Sequence, residues 1–204
     1  MKLAKLAVAA IALAAAGSAH AFGIGVRAGT TGLGADVAFR VAPTLSARLG
    51  YSKLDWNLDT STDAVEYDGK LKLSGVNAFL DFSPLGPFRL TGGFIFGDNQ
   101  YDVTASRSGG TLHGTVEPGR SAAPYLGIGY GNVSGLGVNF YTDVGIAFHG
   151  SPKVSLRATC PGSLSPAQCT SLQNEAAAER VRLEDKLKKY KYYPVVNIGL
   201  TIGF

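Results

Sequence analysis

Residues 195–204 read VVNIGLTIGF, and the last of them, Phe204, is aromatic. Val196, Ile198, Leu200, Ile202 and Phe204 alternate with Asn197, Gly199, Thr201 and Gly203. Successive side chains of an extended strand point to opposite faces, so one face here is continuously apolar and the other small or polar. A closing strand of this kind is expected to pair back onto an earlier one, because a closed barrel leaves no row of unsatisfied backbone groups. Apolar outside and polar inside is the pattern of a barrel whose solvent is lipid.

Seven earlier segments repeat the alternation. In residues 22–30, Ile24, Val26 and Ala28 oppose Gly25, Arg27 and Gly29; in 33–41, Val37, Phe39 and Val41 oppose Asp36 and Arg40. In 45–51, Leu45, Ala47 and Leu49 oppose Ser46 and Arg48, and in 71–82, Val76, Ala78, Leu80 and Phe82 oppose Asn77 and Asp81. Leu71 and Leu73 fall on the other parity, which suggests a bulge at Ser74-Gly75. Segments 88–97, 124–131 and 138–149 complete the set, with Arg89 and Asp143 on the polar side. The second, fourth and sixth connections are short, whereas 53–69, 98–121 and 150–191 are long and polar, as periplasmic turns and outer loops are; only the first connection, also short, breaks the pattern. The expected fold is all-β: an eight-stranded, antiparallel, up-and-down transmembrane barrel. A lipocalin-like soluble barrel is the competing architecture, but its apolar face points inward.

Lys2 and Lys5 precede an apolar run over residues 6–16, and Ala19 and Ala21 occupy an A-x-A site. This reads as a secretory signal peptide, residues 1–21, followed by one barrel domain, residues 22–204. The apolar run is short of the roughly 20 residues that span a bilayer as a helix. Without the leader, 17 basic side chains face 15 acidic ones, so no concentrated positive charge points to nucleic acid. Glycines, 27 in 204 residues, fall inside strand patterns such as Gly127, Gly129 and Gly131, where they leave room for bulkier neighbours across a narrow lumen.

Seven charged residues fall on the inward face: Arg27, Arg40, Arg48 and Arg89 against Asp36, Asp81 and Asp143. A two-residue turn at Thr31-Gly32 would set Arg27 opposite Asp36, and the turn at 83–87 would set Asp81 opposite Arg89. Paired charges of both signs read as a hydrogen-bonded filling, whereas an ion-selective constriction would favour one sign. A small solute channel is the second reading.

The only cysteines, Cys160 and Cys169, lie in the last loop of an exported chain and are expected to form a disulfide; with no histidine nearby, a metal pair is the weaker alternative. Over residues 171–190 the spacing of Leu172, Ala176, Leu183 and Leu187 turns helical, with Glu175 and Glu179 early, Lys186, Lys188 and Lys189 late, and i,i+4 pairs Glu184–Lys188 and Asp185–Lys189. The loop at 53–69 collects Asp55, Asp59, Asp63, Glu66 and Asp68 beside Trp56 and Tyr67, a solvated acidic loop without calcium-loop spacing.

With the leader, the eight strands, APYLGIGYGN at 123–132 and YYPVVNIGLTIGF at 192–204, the chain resembles the opacity/outer-membrane-protein-X class of small β-barrels, and is similar in particular to a little-characterised proteobacterial subfamily. The outer-membrane-protein-W family is a nearby comparison. The resemblance implies residence in the Gram-negative outer membrane, contact with lipid and lipopolysaccharide, and a C-terminal strand, Ile198, Leu200, Ile202 and Phe204, read by the barrel-assembly machinery. It also covers adhesins and stress-response proteins, so an extracellular ligand is a candidate partner. A monomer is expected, with no cofactor and no metal. His149-Gly150-Ser151 matches the His-x-Ser of a lipid A deacylase class, but His149 is inward by parity and Pro152 ends the strand, so the chain is not read as an enzyme. His113 carries no signal of its own.

Overall fold

The computed structural model describes residues 21–62, 65–97, 99–107, 110–162 and 164–204. The expected signal peptide lies outside these residues apart from Ala21, as does Asp63 of the acidic loop. The described elements are strands β1 (Phe22–Gly29), β2 (Gly32–Ala42), β3 (Leu45–Thr62), β4 (Val65–Leu85), β5 (Phe88–Gly97), β6 (Gln100–Arg107), β7 (Gly110–Glu117), β8 (Ala122–Gly131), β9 (Gly137–Ala147) and β10 (Lys153–Thr159), then helix α1 (Pro166–Leu187) and strand β11 (Tyr193–Gly203). No helix among the described residues is long and apolar enough to cross a membrane, which says nothing about crossing by strands.

The strands form a single antiparallel sheet of 11 members. Eight of them pair in a ring: β1 with β2, then β3, β4, β5, β8, β9 and β11, which returns to β1. The quoted stretch makes the closure. Gly203 sits opposite Gly23 and Gly199 opposite Arg27, and Phe22 and Phe204 exchange backbone hydrogen bonds of 3.2 and 2.8 Å.

Three strands replace what the sequence offered as loops. β6 pairs with the far half of β4, from Lys72↔Gln100 to Glu66↔Ser106; β7 pairs with β6, and β10 with β7. β3 and β4, at 18 and 21 residues, run on through 53–69 as a long hairpin with Trp56 opposite Leu71 and Asp59 opposite Asp68. Beyond the apolar belt no apolar solvent demands an alternating outer face, so polar residues populate both sides and the period-2 signal fades.

Three local expectations change, and the first is that Asp81 stands opposite Thr91 rather than Arg89, because the register shifts between Phe82 and Leu85. β3 pairs with β4 without interruption through Ser52↔Gly75, Lys53↔Ser74 and Leu54↔Leu73, so no bulge stands at Ser74-Gly75; the register shifts lie beside short turns, at Arg40/Ala42 and Phe82/Leu85. Leu71 and Leu73 are therefore true inward residues, on one face with Asn77, Phe79 and Asp81. The first turn is Thr30-Thr31, because Gly29 pairs with Gly32, whose φ of +101° a side chain would strain. Arg27 consequently faces Gly34 and Asp36 faces Gly25; moving the turn by one residue slides the pairing by two and keeps the face.

The two faces differ sharply. On β11, Ile198, Leu200 and Ile202 are about half exposed, whereas Val195, Asn197 and Thr201 on the other face are buried. In β1, β2, β5, β8, β9 and β11 every charged side chain belongs to the inward set. Aromatic pairs cluster at the two ends of this apolar wall: Phe22 with Phe39 and Phe88 with Tyr130 at one end, Phe94 with Phe96 and Phe148 with Tyr192 at the other.

Helix α1 starts earlier than the expected 171–190. Ser165 accepts a hydrogen bond from the Gln168 amide, and the Gln168 side chain accepts one from the Ser165 amide at 3.0 Å, a capping box followed by Pro166 at the first helical position. The Cys160–Cys169 disulfide, with Cα atoms 5.8 Å apart, ties the helix's first turn to the end of β10. The helix packs on β10 and buries Ala176. Its ion pairs are Arg180–Glu184 at 3.1 Å, Glu179–Arg182 at 3.5 Å and Asp185–Lys188 at 2.6 Å, in place of the expected Glu184–Lys188 and Asp185–Lys189.

Candidate functional site

Six of the seven inward charges meet in the middle of the ring. Arg48, fully buried, lies at the centre: its Nε is 3.1 Å from Asp81 Oδ2 and its Nη1 is 2.7 Å from Asp143 Oδ2, so one guanidinium links strands β3, β4 and β9. Arg89 adds a second bridge: its Nη2 is 2.6 Å from Asp143 Oδ1 and donates to the Thr142 carbonyl, while its Nη1 donates to the Gly131 carbonyl. On the opposite wall Arg27 Nη1 stands 3.1 Å from Asp36 Oδ1, and Arg27 Nη2 donates to Asn77 Oδ1 at 2.6 Å. Three arginines thus meet three aspartates, and the buried set is neutral. Charges removed from water persist only when paired; every arginine and aspartate of the set is ion-paired, while Asp36 Oδ1, Asp81 Oδ2 and the three arginine Nε atoms rely on those ion pairs without a hydrogen bond among the described residues.

Aromatic residues knit the set together. The Tyr141 hydroxyl donates to Asp36 Oδ2, and the Arg48 guanidinium lies 4.9 Å from the Tyr141 ring centroid and 5.3 Å from that of Phe79. Thr91 Oγ1 donates to Asp81 at 2.6 Å. Glycines on neighbouring strands supply the space. A Cβ at Gly199 would run into the Tyr141 ring, one at Gly129 into Arg89 and Asp143, and one at Gly50 into Asp36 and Asn77. Arg40 does not join the network; half-buried, it lines a cavity of about 310 Å³ near Ser46 and Ser134.

Sequence reasoning left out Tyr141, Phe79, Thr91 and Asn77 as partners of the charges. Their inward parity was readable; which charge each would meet depends on neighbours across the ring, such as β3 facing β9, which no strand pattern encodes.

Directly above the charges Phe79, Tyr125, Ala123, Ala147 and Val195 form a buried apolar layer, with Ile95 and Tyr193 packed on it. Above that layer the interior is hollow: a cavity of about 290 Å³ is walled by residues that include Leu71, Leu73, Ile95, Tyr101, Val116 and His149. Burial holds the half-buried His149 imidazole below its usual value, so it is neutral at neutral pH. Ser151 lies beyond the end of β9 and is not hydrogen-bonded to His149 among the described residues. His113, on β7, is within 3.2 Å of Thr104 Oγ1. Lys53 pairs with Asp55 at 2.7 Å, and no group of three metal-ligating side chains occurs among the described residues.

No protein-family model matches the chain, and a search of curated proteins found no match. Solved structures do match. CarO from Acinetobacter baumannii aligns at 23% identity with a TM-score of 0.62, over 89% of this chain and 97% of CarO. CarO2 from the same organism aligns at 20% identity with a TM-score of 0.62, over 92% of this chain and all of CarO2. These neighbours are outer-membrane β-barrel proteins, and the likeness is one of fold.

Proposed function

We propose that the eight-strand ring spans the Gram-negative outer membrane as a closed barrel with a filled lumen, and that the protein acts at the cell surface through the structure built on its outer end. The single observation that carries the reading is Arg48: fully buried, and bound at once to carboxylates on β4 and β9, it bridges the interior where a water path would have to run.

The membrane location is supported by the half-exposed apolar wall, by aromatic pairs at its two ends, and by the confinement of charge to the inward face. A soluble protein leaving a continuous belt of this kind in water would aggregate. Outer-membrane lipid and lipopolysaccharide are then the solvent of the wall, and the C-terminal strand ending at Phe204 is the segment offered to the barrel-assembly machinery. The parts free to meet an extracellular ligand are the β3–β4 hairpin, the β6–β7–β10 extension and α1. In this reading the protein is not an enzyme, works as a monomer and carries no cofactor.

The test is permeability. Refolded protein in vesicles that contain trapped sugar should give no swelling in isosmotic sugar, while its heat-modifiable gel mobility reports insertion. Swelling at a rate that scales with protein content would overturn the filled lumen and favour a solute channel.

A further inference from the structure

We propose that the hollow outer half of the lumen is a blind binding pocket for a small, mostly apolar molecule bearing one hydroxyl or carbonyl group, held by Leu71, Leu73, Ile95 and Val116 with His149 as its polar anchor.

Four observations carry this. The walls are apolar where water would otherwise fill the barrel mouth: Leu71 and Leu73 on β4, Ile95 on β5 and Val116 on β7 all border the 290 Å³ space. Leucines on the inward face of a barrel strand gain nothing from lipid, and at this height they have no packed core to join. The volume is close to the lower end of pockets that hold small organic ligands. The floor is shut by the Phe79, Tyr125 and Val195 layer with the charge network beneath it, so an occupant enters and leaves by the outer mouth.

The fourth observation is an unpartnered buried polar atom on a cavity that Ser52, Asn99, Gln100, Glu117 and Arg120 also border. His149 Nδ1 is buried and has no hydrogen-bond partner among the described residues, although its side chain lines the cavity. A buried imidazole nitrogen without a partner carries a desolvation cost that a ligand's hydroxyl or carbonyl would relieve. Since the ring is neutral at neutral pH, it suits a neutral polar group rather than an anion. β4 contributes to the pocket because it changes partners here, leaving β5 after Gly75↔Gly97 and taking up β6 at Lys72↔Gln100, so the mouth widens at the height of the leucines.

The inference rests on the closed lumen proposed above, and the two fail separately. The experiment is a titration of 2-naphthol into protein with labelled Ile, Leu and Val methyl groups in lipid nanodiscs, followed by NMR. The expected result is saturable shift changes at Leu71, Leu73, Ile95 and Val116, abolished in Leu73→Trp, which fills the space, and equally in Leu71→Trp should the first variant not fold. Changes that grow linearly with 2-naphthol, that fall on outward residues such as Leu126 and Ile128, or that persist in a folded tryptophan variant would overturn the pocket. A conducting barrel in the permeability test would instead break its floor.

Discussion

The lower half of the ring interior is solid and the upper half hollow, and their walls differ: the ring strands alone enclose the lower half, whereas β6 and β7 join the wall of the upper one. Below, Arg27, Arg48 and Arg89 reach across glycine-lined gaps to Asp36, Asp81 and Asp143, and Tyr141 and Phe79 occupy what remains. Above, the inward positions carry Leu71, Leu73 and Ile95, which are too short to meet across the mouth and have no charge to pair. The difference shows that lumen filling follows side-chain reach and polarity together with the extra width that β6 and β7 give the mouth. Long guanidinium groups close a narrow barrel; branched aliphatic groups at its wider end leave a cavity.

The largest break of this contrast is Arg48→Ala. It takes the closest arginine from Asp81 and leaves Asp143 with Arg89 alone, and removal of one partner of a buried pair costs about 3–5 kcal/mol. The urea midpoint of unfolding from vesicles should fall accordingly; an unchanged midpoint would mean that the lower half is not held by its charges. Next comes Leu200→Arg, a lipid-face change on the closing strand, which is expected to destabilise by about 2–4 kcal/mol near the bilayer midplane. The same midpoint measurement checks it, and a neutral outcome would place that face in water.

A smaller and more local effect is expected from Cys160→Ser with Cys169→Ser. Opening so short a loop removes about 2–3 kcal/mol on the chain-entropy model, and the loss should fall on α1 and β10 while the ring is unaffected. Limited proteolysis should then cut within 150–191 in the variant, with the heat-modifiable band retained. The smallest effect belongs to Leu73→Ala. Because Leu73 already borders empty space, its truncation should cost under about 1 kcal/mol, well below the roughly 2–5 kcal/mol of a packed leucine. A loss in the packed range would show that the upper half is a core rather than a pocket.

The ring was legible wherever lipid and a polar interior impose opposite demands on alternate residues. Segments 88–97 and 138–149 follow that rule, and their inward charges, Arg89 and Asp143, could be assigned by parity alone. Beyond the apolar belt the alternation persists in places, in Tyr101, Val103 and Ala105 on β6 and Val154, Leu156 and Ala158 on β10, but in short runs flanked by turn residues that resemble loops. Leu71 and Leu73 were readable in the same way, yet an apolar residue facing a lumen contradicts the simple pattern, and a bulge was the cheaper reading. The continuous pairing of β3 with β4 reverses it. Cross-ring partnerships such as Arg48 with Asp143 depend on closure geometry, which a strand-by-strand reading does not contain.

Single-channel recording of the refolded chain in a planar bilayer tests the filled lumen most directly. The network of Arg48, Arg89, Asp81 and Asp143, with the Phe79, Tyr125 and Val195 layer above it, predicts a silent wild-type barrel. Stable, reproducible steps from the wild-type barrel would contradict it.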